Sequence, residues 1–228
     1  MKHEAKIALN STLENTGTLG SNPKTFKIFK RSIDVILGTF FLVLSLPVIL
    51  LAALFIRIES KGNPFFLQER VGKNGQMFRI VKLRGMYVDA RKRFPELYDY
   101  NELFNGNNLD KTFHHQEDPR LTRVGRFTRK TSIDELPNFI NVLTGSMSIV
   151  GIRPEIPELF EKYGTYKNTY ISMRPGITSL SKCSGRDNLT LQESLQMDVA
   201  YLHHQTALGD LKIIFKTISA VLLRKDVY

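Results

Sequence analysis

From residue 35 to residue 56 the chain reads VILGTFFLVLSLPVILLAALFI, 22 residues without a charged side chain. That exceeds the roughly 18 apolar residues that separate a membrane segment from a buried core helix. A secretory leader is not expected: the run starts too far in, is too long, and no small-x-small cleavage site follows. The segment therefore places the chain at the membrane. Lys27, Lys30 and Arg31 precede it, and Arg57 and Lys61 follow, so positive-inside bias does little to put its ends on opposite sides. Pro47, near the middle, lacks an N–H and clashes with the preceding turn, which predicts a kink. Two forms satisfy these features. One is a bent helix that dips into one leaflet and returns; the other is a tilted single pass with a tolerated proline.

Outside this segment the chain is basic. It has 32 Lys and Arg against 22 Asp and Glu, a net charge of +10, and a sequence pI near 9.7. Such an excess calls for an anionic partner: nucleic acid, anionic lipid or a phosphorylated substrate. Nucleic acid is not expected, because no RNA- or DNA-binding motif is present and Trp is absent. The single cysteine, Cys183, excludes a disulfide framework or Cys-based zinc cluster within the chain. The pairs His114–His115 and His203–His204 lack metal-protease spacing, so a protein-only zinc site is not expected either.

Residues 1–25 are polar and rich in Gly, Ser, Thr and Asn, and read as a flexible tail. Residues 26–58 form the membrane helix, and 59–228 the remaining domain. In that domain VGKNGQMFRIV predicts a hairpin turning at Asn74–Gly75. Residues 87–118 read as a helix followed by a long loop, 155–172 as helical, and 173–186 as a loop punctuated by Pro175, Gly176 and Gly185. A helix follows, with Thr190 to Glu193 as a capping box. The last helix places Leu211, Ile214, Phe215, Ile218, Val221 and Leu222 on one face. That face suits either the core or an anionic lipid surface.

The stretch RKTSIDELPNFINVLTGSMSIVGIRPE holds two adjacent carboxylates, Asp134 and Glu135, close to Pro137. Ser132 and Glu135 match a capping box, so both acids could simply start a helix. Pro137 fits poorly in that register, since it would fall at the fifth helical position. With Asp134 as the cap, Pro137 moves into the first turn, and the carboxylate meets the positive helix end. Cations are spread through the same region: Lys82 and Arg84, Arg120 to Arg129, Arg153, Arg174 and Arg186. Three of them sit beside Gly or Pro, in GIRPE, MRPGIT and SGRD, where turns expose backbone amides to phosphate. Arginine suits bidentate phosphate binding.

The run DPRLTRVGRFTRKTSIDELPNFINVLTGSMSIVGIRPE resembles the bacterial sugar transferases, the monotopic polyprenol-phosphate phosphoglycosyl transferases. KRSID before an apolar segment with a central proline, QERVGKNGQMFRIVKLRGM, and MRPGIT…SGR carry the same resemblance, in order, from about Lys30 onward. It implies an α+β, mostly helical fold. An N-terminal re-entrant helix kinked at Pro47, a small β-hairpin and amphipathic interfacial helices would surround a cytoplasmic catalytic site on the bacterial inner membrane.

The implied reaction moves a phosphosugar from a UDP-sugar to undecaprenyl or another polyprenol phosphate, with Mg²⁺, and releases UMP. It would be a first membrane step in assembling exopolysaccharide, capsule or lipopolysaccharide. Asp134 would be the nucleophile and Glu135 its dyad partner and metal ligand. Lys82, Arg84, Arg129, Arg153, Arg174 and Arg186 would serve phosphates. Asp198 and Asp210 match acidic positions of the family's C-terminal region and would join the phosphate- and substrate-binding set. The oligomeric state, homo-oligomer included, is left open.

Several residues depart from the family pattern. Leu46 stands where a serine often precedes the proline, and Leu83 and Gly85 alter KFRTM. Ser146 and Ile152 replace an Asp and a Pro near Arg153, and Ser179 and Ser181 replace Gly and Trp. A catalytically silent scaffold of a polysaccharide-assembly complex is the alternative these departures raise.

Overall fold

The computed structural model describes residues 23–99, 118–184 and 189–222. The expected N-terminal tail, most of the loop expected before residue 118, and Arg186 lie outside the described residues. Helix α1 (Pro23–Glu59) contains the whole apolar run in one 37-residue helix with Pro47 inside it. At 1.5 Å per residue it is about 55 Å long. The Ser45 hydroxyl donates back to the Leu42 carbonyl at 3.1 Å. A back-bonding hydroxyl is therefore present, one residue before the Leu46 position where the sequence lacks it.

The buried residues of α1 are Asp34, Gly38, Ser45, Ile49, Ala53 and Ile56, a single stripe at helical spacing. Away from that stripe Ile36, Val43, Leu44, Leu50, Leu51 and Ile58 are each more than half exposed. Contiguous apolar surface of this kind is rare in a water-soluble monomer. It fits a membrane-associated protein.

Both ends of α1 are bonded into the rest of the fold. The hairpin strands β1 (Phe65–Val71) and β2 (Met77–Leu83) pair antiparallel from Phe65–Leu83 to Val71–Met77. Asn74 and Gly75 take positive φ (59° and 76°) at the turn, as that dipeptide favours. Short helix α2 (Ala90–Arg93) follows, then a 3-10 turn Pro95–Tyr98. The helix expected from residue 87 is thus broken early, where Pro95 cannot continue it. Next come α3 (Arg123–Lys130), a 3-10 helix Ile133–Asn138, and α4 (Phe139–Thr144).

At the start of α1, Arg31 donates to the Val142 and Leu143 carbonyls of the last turn of α4 at 2.6 and 2.9 Å. At its end, the Glu59 carboxylate accepts from the Arg123 and Val124 amides at 2.8 and 2.9 Å, capping α3. Arg84 donates to the Ser60 and Lys61 carbonyls just beyond.

Strands β3 (Ser148–Val150) and β4 (Gly176–Thr178) pair in parallel. This pair is not expected from the sequence, where 173–186 reads as loop. Between them lie α5 (Pro157–Phe160), a 3-10 helix Glu161–Tyr166 and α6 (Lys167–Ile171). The helical region expected over 155–172 is therefore three short pieces, interrupted at Gly164 (φ 51°, ψ −124°). Then follow α7 (Leu180–Ser184), α8 (Leu191–His203) and α9 (Ala207–Leu222).

The α8 capping box forms as expected. Thr190 Oγ1 accepts from the Glu193 amide at 3.1 Å, and Glu193 accepts from the Thr190 amide at 3.0 Å. In α9 the core side is Asp210, Ile213 and Ile214, while Leu208, Leu211, Phe215 and Ile218 are exposed. Ile214 therefore leaves the face on which the periodicity groups it, and the outward stripe is narrower.

Buried Asp34 ties α1 to β3. It accepts from the Ser148 hydroxyl at 2.8 and 3.0 Å and from the Ile149 amide at 2.9 Å. Asp34→Ala would strand both donors in the interior, a loss of about 2–4 kcal/mol. Thermal unfolding of the variant in detergent should show that loss directly.

Candidate active site

Chain reversal after α3 positions the two carboxylates. Ser132 adopts a left-handed conformation (φ 58°), which is uncommon for a residue with a Cβ. Its amide donates to the Arg129 carbonyl at 3.1 Å, closing α3 and starting the 3-10 helix that carries Asp134 and Glu135. Neither capping register expected from the sequence forms. Ser132 makes no side-chain cap, and Asp134 lies inside the 3-10 helix instead of at its cap. Glu135 has stronger partners than an amide, since charge-assisted bonds roughly double the strength of neutral ones. Its Oε1 accepts from Lys82 of β2 at 2.8 Å, and its Oε2 accepts from Lys182 of α7.

The two neighbouring acids consequently behave differently. Burial pushes the Asp134 carboxyl up to about 6. Lys82, Lys182 and Arg129 pull against that rise, and the Glu135 charge adds to it. Burial would raise Glu135 as well, but the Lys182 and Lys82 ammonium groups overcome it and hold this carboxyl well below its ordinary value. Burial lowers Lys182, with Glu135 opposing. Among the described residues, no hydrogen bond or ion pair reaches the Asp134 carboxylate. One acid is locked and its neighbour is available. Environments that push paired acids apart are how acid and base roles are divided in active sites.

A small pocket opens beside Glu135, lined by Lys82, Lys182, Arg153, Arg70 and Ser179. Arg153 stands on a braced turn. Its carbonyl accepts from the Tyr170 hydroxyl at 3.0 Å. Gly176 donates to the Ile152 carbonyl at 2.8 Å, and Arg70 to the Pro154 carbonyl at 3.1 Å. The bend before Arg153 is therefore held by these bonds, with Ile152 buried in the core.

Other expected site residues are placed elsewhere. Arg129 pairs with Asp118 at 3.6 Å while still acting on Asp134. Arg84 holds the chain after α1, and Arg174 donates to the Gly145 carbonyl at 2.7 Å beyond α4. Asp198 lies buried behind the pocket, where it accepts from the Ser181 amide at 2.9 Å and the Arg153 amide at 3.4 Å. Burial raises its carboxyl to about 6, against those hydrogen bonds. Asp210 bonds Lys30 at 2.6 Å and Tyr201 at 2.7 Å, so it joins α1 to α9 instead of facing the dyad.

Lys182 is the site residue that sequence reasoning misses. Its signal is faint: one lysine among serines in a stretch that reads as loop. It reaches Glu135 only because α7 begins there, with the Lys182 amide donating to Ser179 Oγ at 3.2 Å. No group of three or more His, Cys, Asp or Glu gathers among the described residues. The carboxylates that could serve a cation here are those of the adjacent pair Asp134 and Glu135. Glu135→Gln would leave two ammonium groups facing a neutral amide, costing about 3–5 kcal/mol. A fall in the unfolding midpoint, absent from Lys61→Gln on the surface, would check it.

Residues 25–224 match the bacterial sugar transferase family. The chain is 39% identical over 220 residues to the galactosyl transferase CpsE of Streptococcus agalactiae, covering 93% of this chain and 47% of that protein. It is 36% identical over 201 residues to the exopolysaccharide production protein ExoY of Sinorhizobium fredii, covering 88% of each. It is also 34% identical over 210 residues to the UDP-glucose:undecaprenyl-phosphate glucose-1-phosphate transferase of Escherichia coli, covering 89% of this chain and 42% of that protein. The chain thus belongs to the bacterial sugar transferase family. It spans about half the length of CpsE and of the Escherichia coli transferase, and most of ExoY.

Proposed function

We propose that this chain is a phosphoglycosyl transferase that moves a sugar phosphate from a UDP-sugar to undecaprenyl phosphate. The observation that carries the reading is the asymmetry of the dyad: Glu135 is gripped by two lysines while Asp134 is left available. A carboxylate with a raised pKa is a stronger nucleophile than an ordinary one, and at neutral pH it is still mostly ionised.

Asp134 attacks the sugar-bearing phosphorus of the donor. The bond from that phosphorus to the bridging oxygen breaks, and UMP leaves with the electron pair. The acyl phosphate so formed on Asp134 is then attacked by an oxygen of the lipid phosphate. That step regenerates the carboxylate and gives a polyprenyl diphosphate sugar. Lys82 and Arg153, on the pocket wall, neutralise phosphate oxygens during both transfers, and Arg129 supports the charge near Asp134. Mg²⁺ would be held by Asp134 and Glu135 together with substrate oxygens, neutralising charge on the diphosphate; two carboxylates are the usual protein share of such a site.

The bonds at both ends of α1 to one folded body support a re-entrant helix, and the bend at Pro47 belongs to the same proposal. A straight crossing would part its ends by about 30 Å of hydrocarbon. With the exposed apolar stripe of α9 beside it, this reading sets the pocket on the cytoplasmic face of the inner membrane, where UDP-sugars are available.

The test is UMP release in nanodiscs, with undecaprenyl phosphate, Mg²⁺ and a panel of UDP-sugars. Release with at least one sugar is expected. None with any sugar, from folded protein, would overturn the reading in favour of a silent scaffold. The rate should also fall about tenfold per pH unit below pH 6, because the raised carboxyl of Asp134 protonates there. A flat profile down to pH 4.5 would exclude Asp134 as the titrating nucleophile.

A further inference from the structure

Both oxygens of Glu135 are taken by ammonium groups. Lys82 holds Oε1 at 2.8 Å and Lys182 holds Oε2. Lys182 is no mobile surface side chain. Its Nζ also donates to the Ile177 carbonyl at 2.9 Å, its amide is fixed by Ser179 Oγ, and its side chain is 14% exposed. Ser179 and Ser181 bond each other at 2.9 Å, and the Ser181 amide is held by buried Asp198. The departures from the family at 179 and 181 thus help build the small helix that delivers this lysine.

We propose that Lys182 is a positioning residue, a built-in counter-cation of Glu135 with which a divalent metal must compete. The inference rests on the transferase reading for its purpose, but its physical content is local. A divalent ion beside Glu135 meets a fixed positive charge a few ångströms away, at a site only partly screened by water. With Asp134 as the one further carboxylate there among the described residues, the resting site binds the metal weakly. The donor's diphosphate brings the negative charge that restores the balance, so metal and donor enter together. Both lysines line the pocket with Arg153, but Lys182 alone has a further bond, to the Ile177 carbonyl, and is the one assigned to Glu135.

The experiment titrates Mn²⁺ into the full chain in detergent, following free Mn²⁺ by electron paramagnetic resonance, with and without UDP. Lys182→Met and Lys182→Gln remove the charge; Lys182→Arg keeps it. Without UDP, the wild type and Lys182→Arg should bind weakly, and the neutral variants ~10-fold tighter or more. UDP should tighten wild-type binding far more than that of the neutral variants. If the neutral variant that folds, Met or Gln, binds Mn²⁺ no tighter than wild type, the proposal is overturned. UMP release by the wild type is measured in parallel. Its absence alongside a gain in Mn²⁺ affinity would sink the transferase reading and leave the counter-cation standing; the opposite pattern would do the reverse.

Discussion

Asp134→Asn should reduce UMP release by at least ~10³-fold and leave the protein as stable as before, or more so. The loss in rate follows because an amide oxygen cannot form the acyl phosphate, and the 3-10 helix offers no other free carboxylate nearby: Glu135 is bonded on both oxygens. The stability half of the prediction follows from the raised carboxyl. A carboxyl whose folded value lies above its unfolded one is ionised at a cost in the native state, and that cost is fully present above about pH 6. Asparagine removes it. Most substitutions destabilise, so a variant that is inactive yet unfolds no earlier than wild type marks stability given up for function. A covalent phosphosugar adduct on wild-type protein, trapped without lipid acceptor and absent in the variant, is the matching mass-spectrometric result. A variant that kept a tenth of wild-type activity would move the nucleophile elsewhere.

Gly125→Ala should be the most damaging single-methyl change in the described fold. A Cβ there would stand 1.8 Å from the Gly85 carbonyl oxygen and 2.5 Å from its carbon. Those are backbone atoms, not the end of a flexible side chain. The Gly85 carbonyl also accepts from the Thr122 amide at 3.0 Å, so it cannot simply rotate away. Helix α3 would have to lift. That breaks the Glu59 cap on Arg123 and Val124 and shifts Arg129 relative to Asp134. A loss of at least about 3 kcal/mol is expected, enough to unfold many domains of modest stability. Gly75→Ala is the control: nothing lies within 4 Å of its Cβ and only its φ of 76° resists, so about 1 kcal/mol should be lost. Expression and unfolding midpoints of the two variants check the contrast.

What could be read from the residues was local. The apolar helix, the hairpin at Asn74–Gly75 and the Thr190–Glu193 cap each depend on neighbours within one element, and each formed. The dyad was legible as a pair of acids beside a proline, but its geometry was not. A left-handed serine and two lysines, 53 and 47 residues away from Glu135, decide it. The β3–β4 pair was hidden for the same reason: three residues on each side carry no periodicity, and what joins them is backbone bonding between segments far apart in the chain, Ser148 to Pro175 and Gly151 to Thr178. Asp198 and Asp210 attracted notice as acids, and the fold uses both as buried bolts. Charge type was visible in the sequence; direction was not.

The bond between Lys30 and Asp210 spans 180 residues, and this sets an order of events at the ribosome. At roughly 5–20 residues per second, the first helix waits about 10–40 s before its last anchor is synthesised. Through that interval α1 gains its bonds to α3 and α4 first, and its tie to α9 comes last. A helix made first and anchored last is thus one that the rest of the chain closes over.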